Sequence, residues 1–254
     1  MVLLRDFTAW LDDRLKLREF SGDVSNNGLQ IEGRPEVRRA VFSVDASLAL
    51  FEAAAEREAD FIFVHHGLSW GAEPRRLTGT SARRYRLLFE RGMSLYAAHL
   101  PLDAAPVFGN NAVLSRLIGL CNLRPFFCYD GAYIGFSGEL TEPETMEKLR
   151  SALGARLNCR AQLFGSADRL CCKVAVVSGG GGLEAVEAAA EAGVDLLLTG
   201  ELTHVMYHCA LECGVAVLAL GHYASETTGP RALMELATSE LELEAEFVDL
   251  PTGL

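Results

Sequence analysis

Short unbroken apolar runs alternate along this chain with stretches rich in alanine and glutamate. In the first half the runs are Val41-Phe42-Ser43-Val44, Phe61-Ile62-Phe63-Val64 and Ser94-Leu95-Tyr96-Ala97-Ala98. In the second they are Val174-Ala175-Val176-Val177, Leu196-Leu197-Leu198 and Val215-Ala216-Val217-Leu218-Ala219-Leu220. Runs of this length, with Ser43 and Ser94 as their only polar members, read as buried strands. Between the first two runs of each half lies an acidic helix of matching sequence: Glu52-Ala53-Ala54-Ala55-Glu56 followed by Asp60, and Glu187-Ala188-Ala189-Ala190-Glu191 followed by Asp195. The spacing from helix to strand matches without a gap. The pattern therefore predicts an internal duplication of a strand-helix-strand-helix-strand unit, the first copy carrying a longer loop over 68–80, with the two halves facing each other across one site.

The flanking pattern fills in the rest. Leu3, Phe7, Trp10, Leu11 and Leu15 at helical spacing predict an amphipathic helix over about 3–17, ending in the polar turn Ser25-Asn26-Asn27-Gly28 before a short strand Leu29-Gln30-Ile31. Gly109-Asn110 signals a helix over about 111–120. The aromatic and glycine-rich stretch 126–140 reads as strands joined by tight turns, and Thr141-Glu142-Pro143-Glu144 as the acidic first turn of a helix through Leu153. A change of pattern near 124–130 sets the expected boundary: a first α/β domain over 1–125, a second over 126–229, and a tail 230–254, with a helix near 226–239 and a strand near 244–248, that can return to the first.

Composition narrows the class. At 254 residues and 50% hydrophobic content the chain can build two packed cores or one large one. No apolar run reaches the roughly 18 residues of a membrane helix, and charge interrupts Met1-Val2-Leu3-Leu4-Arg5-Asp6 too early for a secretory segment, so a soluble cytoplasmic protein without a membrane partner is expected. The seven cysteines include no Cys-x-x-Cys pair and read as reduced, mostly buried thiols. A net charge of -11 repels a phosphate backbone and disfavours nucleic-acid binding by the free chain. Two features run against this background. Arg75-Arg76 with Arg83-Arg84-Arg86 form a basic strip, either a solvated helix face or a grip on a phosphate-bearing substrate or a neighbouring subunit. Ser178-Gly179-Gly180-Gly181-Gly182 is either a tight turn or a loop lining a ligand cavity.

The chemistry gathers at strand ends, where open α/β sheets bind ligands. His65-His66 closes the second apolar run. Two other strands end alike, with His99 and Asp103 after one and His222 and Glu226 after the other, a carboxylate four residues beyond each histidine. Neutral imidazole offers a lone pair near pH 7, which makes such a set a candidate metal centre. His99 takes the place in the first copy that His222 takes in the second and is a candidate to coordinate, to orient Asp103 or to pass a proton to the leaving group, with the last two favoured. Glu201 lies opposite His66 in the duplication, as a base or a helix cap. His204 and His208, one turn apart, read as exposed helical histidines.

Several separated motifs, in order, resemble one family: Asn27-Gly28-Leu29-Gln30-Ile31-Glu32-Gly33, Val64-His65-His66-Gly67, His99-Leu100-Pro101-Leu102-Asp103-Ala104, Gly109-Asn110-Asn111-Ala112, Leu198-Thr199-Gly200-Glu201 and Gly221-His222-Tyr223-Ala224-Ser225-Glu226. On them the chain resembles the Nif-three-like dinuclear-metal proteins, often labelled GTP cyclohydrolase type 2 homologues, in their short bacterial form. The resemblance implies two interlinked, pseudo-duplicated α/β domains with mixed sheets, a toroidal homo-hexamer, and two divalent metal ions between the domains held by His65, His66, Asp103, His222 and Glu226. Three imidazoles and two carboxylates serve two ions only through a bridge, for which Asp103 or Glu226 has the oxygens; zinc, iron, manganese, cobalt and nickel all suit such donors. The expected function is hydrolysis of a nucleotide-like substrate by metal-activated water, with cyclohydrolase ring opening the leading case. The alternatives are a two-metal phosphoesterase and a metal-stabilised ring that binds protein, or nucleic acid within its lumen.

Overall fold

The computed structural model describes residues 1–72 and 76–254. In chain order the first part comprises β1 (Val2–Leu3), α1 (Leu4–Leu15), β2 (Gly28–Ile31), β3 (Glu36–Val37), β4 (Arg39–Asp45), α2 (Leu48–Glu56), β5 (Phe61–His66), α3 (Gly79–Arg91), β6 (Ser94–Ala97) and α4 (Leu100–Ala104). There follow α5 (Asn110–Leu117), β7 (Leu120–Tyr129), β8 (Ala132–Thr145), α6 (Met146–Leu157), β9 (Gln162–Phe164), β10 (Leu170–Val177), α7 (Gly182–Glu191), β11 (Leu196–Thr199), α8 (Met206–Cys213) and β12 (Ala216–Ala219). The chain closes with α9 (His222–Glu226), α10 (Thr228–Leu241) and β13 (Glu244–Phe247). It divides into two compact units, Met1–Leu102 with Pro230–Leu250, and Asp103–Gly229 with Pro251–Leu254.

In the first unit the apolar runs become the parallel strands β4, β5 and β6, with β13 parallel on β4 and β2 antiparallel on β6. Both faces of these strands are covered, which is why they read as continuous hydrophobic runs. One face buries Val41, Ile62, Val64 and Leu95 against Leu50, Phe51 and Leu88 of the helices. In the second unit β10, β11 and β12 are parallel in the same way, flanked by the antiparallel β8 and β9, with β7 beyond β8. The architecture is α/β with mixed sheets.

The two units repeat one another in detail. Asp60 Oδ2 accepts the N–H groups of Arg38 and Arg39 (2.9 and 3.3 Å), and Asp195 Oδ2 accepts those of Cys172 and Lys173 (both 3.0 Å). Each aspartate thus ties the start of its own strand to the start of the neighbouring one. Helices α3 and α8 stop alike, at Gly92 (φ 62°) and Gly214 (φ 71°), left-handed positions that glycine takes without a Cβ penalty.

Two expectations change. Residues Thr141 to Glu144 do not start a helix: they extend β8, with Glu144 paired to Cys171 and Thr145 to Leu170 on β10. The helix starts at Met146, where the Thr145 hydroxyl accepts the N–H of Lys148. The acidic, proline-containing turn looked like a helix start, but ladder pairing outweighs local preference. The boundary between units falls at Leu102/Asp103, ahead of the 124–130 switch, because α5 packs on β7, β8 and β10. The tail strand β13 joins the first sheet beside β4. No helix among the described residues is long and apolar enough to cross a membrane.

Candidate metal centre

In the first unit β5 runs through both histidines, so His65 and His66 end a rigid strand. His65 is fully buried and its Nδ1 lies 2.9 Å from the Ala98 carbonyl. His66 Nδ1 lies 2.8 Å from Oδ1 of Asp45, the last residue of β4 and the register partner of His66. His99, just past β6, has Nδ1 2.9 Å from Asp23 Oδ1, while its own N–H donates to Asn27 Oδ1 at 2.8 Å. A neutral imidazole whose Nδ1–H is donated to an oxygen presents Nε2 as its lone-pair nitrogen, the arrangement typical of metal-ligating histidine. The ring centroids of His65 and His66 are 4.5 Å apart, those of His65 and His99 5.2 Å, and the three residues offer donor atoms within 4.8 Å of one another. Trp70 packs its indole 5.0 Å from the His99 ring, held by an Nε1–H bond to the Gly67 carbonyl at 2.9 Å.

In the second unit His222 opens α9 directly after β12. Its Nδ1 lies 2.6 Å from Glu201 Oε1 and its Nε2 3.2 Å from Glu226 Oε1 one turn along. The hydrogen bond with Glu226, opposed by burial and reinforced by Glu201, raises the His222 pKa to about 9. The two carboxylates hold a positive charge on the ring, and a pocket that favours a proton there also favours a metal cation. Gly179, at φ 61°, comes so close that a Cβ would collide with Glu226 Oε1. The glycine-rich turn therefore borders this cluster. Its position is fixed by Gly179 N–H donating to Ser225 Oγ (3.0 Å) and by the N–H of Gly200 donating to the Gly179 carbonyl (2.9 Å). Asp103 is buried in the same unit, its Oδ1 accepting from Asn110 Nδ2 and Ser178 Oγ, both at 2.9 Å, and it offers a carboxylate oxygen within 4.8 Å of one from Glu226.

The structure thus groups His65, His66 and His99 in one unit, and Asp103, Glu201, His222 and Glu226 in the other. His204 precedes α8 and His208 lies on it, both exposed and outside these groups. Of the basic strip, Arg75 lies outside the described residues, while Arg83 and Arg86 lie exposed on α3. Sequence reasoning missed Asp23 and Asp45, and it named Asn110 and Ser178 within motifs without their role of orienting Asp103. The imidazole nitrogens and carboxylate oxygens of these groups are already fixed by neighbours and are donor types that suit a divalent transition metal, and the three histidines of the first unit could hold one.

A family model described as Duf34/NIF3 (NGG1p interacting factor 3) matches residues 2–252. The chain belongs to this family. Two relatives, from Archaeoglobus fulgidus and Pyrococcus abyssi, are both named GTP cyclohydrolase 1 type 2 homolog. They are 43% and 41% identical to it over 251 and 252 residues, covering 99% and 98% of this chain and the same shares of their own. A solved structure from Thermus thermophilus is 37% identical with a TM-score of 0.90, covering 100% of both chains. Reduced HcgD from Methanocaldococcus jannaschii is 27% identical with a TM-score of 0.84, covering 98% of both.

Proposed function

We propose that this NIF3-family protein is a metal-dependent hydrolase for a nucleotide-like substrate, with a pair of divalent ions held jointly by His65, His66, Asp103, His222 and Glu226. The observation that carries this reading is the shared treatment of His65, His66, His99 and His222, each with Nδ1 set against an oxygen acceptor. Four rings fixed in the same sense are what an ion site requires and what unrelated core histidines rarely share.

A bound ion pair supplies a water that ionises near neutral pH and an electrophilic clamp on substrate oxygens. The chain's own groups do the rest. Asp45 and the Ala98 carbonyl fix the His66 and His65 rings, while Asn110 and Ser178 hold the Asp103 carboxylate in one rotamer. Glu201 acts through His222 as a positioning residue. His99, aimed by Asp23 through Nδ1, presents Nε2 to relay a proton to the leaving group. The relatives' names favour ring opening of GTP: water adds at guanine C8, the C8–N9 bond breaks with a proton passing to N9, and a second water releases formate. The same reading carries a homo-hexameric ring, which the mass from light scattering tests.

The deciding assay loads the protein separately with zinc, manganese, cobalt, nickel and ferrous iron and presents GTP, GMP and bis(p-nitrophenyl) phosphate. Formate from GTP supports the cyclohydrolase reading, and nitrophenol with no formate assigns a phosphoesterase. No turnover with any metal overturns hydrolysis and leaves the metal-stabilised ring.

A further inference from the structure

Because the chain is duplicated, each unit serves as a control for the other. At the start of the parallel strands both units pair an arginine with the strand-tying aspartate: Arg34 with Asp60 Oδ1 (3.1 Å) and Arg169 with Asp195 Oδ1 (3.5 Å). That pair belongs to the shared architecture. The first unit adds more. Arg38 and Arg91 occupy the positions of Cys172 and Cys213 in the second, as the equivalent aspartate bonds and the equivalent helix-ending glycines show. The added guanidiniums, with Arg34 and Arg39, line a cavity of about 460 Å3.

The arginines of this cavity differ in how far neighbouring carboxylates occupy them. Arg34 is committed to Asp60, and Arg39 to Glu244 (3.1 Å) with Glu58 at 3.8 Å; these three carboxylates also line the cavity and offset two of its four guanidiniums and part of a third. Among the described residues Arg38 pairs only with the exposed side chain of Glu36, at 3.8 Å, a contact that water screens heavily. Arg91 makes no ion pair among the described residues. Two guanidiniums therefore border one cavity in a chain of net charge -11, with no need in the shared fold to explain them.

We propose that this cavity binds the phosphate group of a small phosphorylated molecule. A phosphate monoester is a dianion matched to two guanidinium forks. The volume exceeds what phosphate alone fills and falls in the range of small-ligand pockets, roughly 300 to 1,000 Å3. The site is separate from the histidine cluster. Arg39 starts β4 and Asp45, which orients His66, ends that strand, about 20 Å away at strand rise. A ligand here does not touch the metal-binding histidines, so the proposal stands whether or not the protein is a hydrolase.

Calorimetric titration of chelator-treated protein with GMP, ribose 5-phosphate and inorganic phosphate tests it. The expected result is saturable binding of at least one organic phosphate, weakened about tenfold or more in R38Q/R91Q. K173Q, at the corresponding strand of the second unit, leaves the affinity unchanged. The variant's melting temperature and oligomeric mass stay at the wild-type values, since these side chains are exposed. Absence of binding by all three probes overturns the proposal, as does equal affinity in R38Q/R91Q. A change of oligomeric mass in that variant also overturns it, by assigning these arginines to a subunit contact.

Discussion

The Asp23 carboxylate holds His99 by its ring, Oδ1 lying 2.9 Å from Nδ1, while Oδ2 accepts the N–H of the next residue, Leu100, at 3.0 Å. Burial works to raise this carboxyl's pKa, but hydrogen bonds from His99, Asn27 and the Ser25 N–H outweigh it and hold the value below that of an ordinary aspartate. Asp23→Ala is expected to cost about 1–3 kcal/mol in urea unfolding, since it strands donors that have no water to turn to. A depressed folded-state pKa gives stability that is complete above the unfolded value, about 3.9, and is lost as pH falls through the folded one. The wild-type advantage should be flat above about pH 5 and shrink below about pH 4. An advantage undiminished at about pH 2.5 contradicts the assignment.

Removing one donor should remove metal without removing the fold. His65→Ala leaves β5 in the sheet and deletes a buried imidazole, so elemental analysis should find less zinc or manganese per chain at unchanged far-ultraviolet circular dichroism. Glu226→Gln keeps the shape but takes a charge from the other cluster and should lower metal content as well. Wild-type metal content in both variants contradicts the ligand assignment.

Much of this was legible in the sequence because parallel strands covered on both faces leave unbroken apolar runs, as Phe61-Ile62-Phe63-Val64 and Leu196-Leu197-Leu198 do. The donors were legible because they follow those runs. Their supports were not. Asp45 reaches His66 only through strand register and Asp23 reaches His99 from a turn, so neither is marked by spacing. For Asp45 a signal existed: once β4 and β5 are taken as adjacent and parallel, the polar residue ending one falls beside the histidine ending the other. Thr141 to Glu144 misled because local helix-start chemistry is visible in sequence, whereas a pairing partner some thirty residues away is not.

The twin aspartates give a paired test of the duplication. Asp60→Ala and Asp195→Ala should each cost about 1–3 kcal/mol, because each leaves two backbone N–H groups without their acceptor. The loss should be larger at Asp60, whose side chain is 12% exposed against 32% for Asp195, since water replaces the lost acceptor more readily at the open site. Thermal or chemical unfolding of the two variants side by side reads the order directly, and an inverse order contradicts it.

Thiol reactivity should follow burial. Burial pushes the Cys171 thiol up to about 12, while Cys128 and Cys213 are exposed. The thiolate is the nucleophile, so a disulfide reagent at about pH 8 should modify Cys128 and Cys213 within the fast phase and reach Cys171 only when the protein unfolds. Peptide mapping of the labelled protein identifies the order, and early labelling of Cys171 contradicts the packing described.

Gly179 and Gly193 allow backbone strain to be separated from site geometry. Both adopt left-handed backbone, φ 61° and 64°, so alanine at either position should cost stability by about 1–3 kcal/mol through conformation alone. Their surroundings differ. A Cβ on Gly193 meets nothing within 4 Å, whereas one on Gly179 collides with the Glu226 carboxylate and approaches the His222 ring. Glu226 is buried and cannot swing into solvent, so the collision must move the carboxylate, the turn, or both. Gly179→Ala should therefore lose stability and metal together, while Gly193→Ala loses stability and keeps its metal. Equal metal content in the two variants would mean that the turn tolerates the methyl group and does not shape the Glu226 cluster.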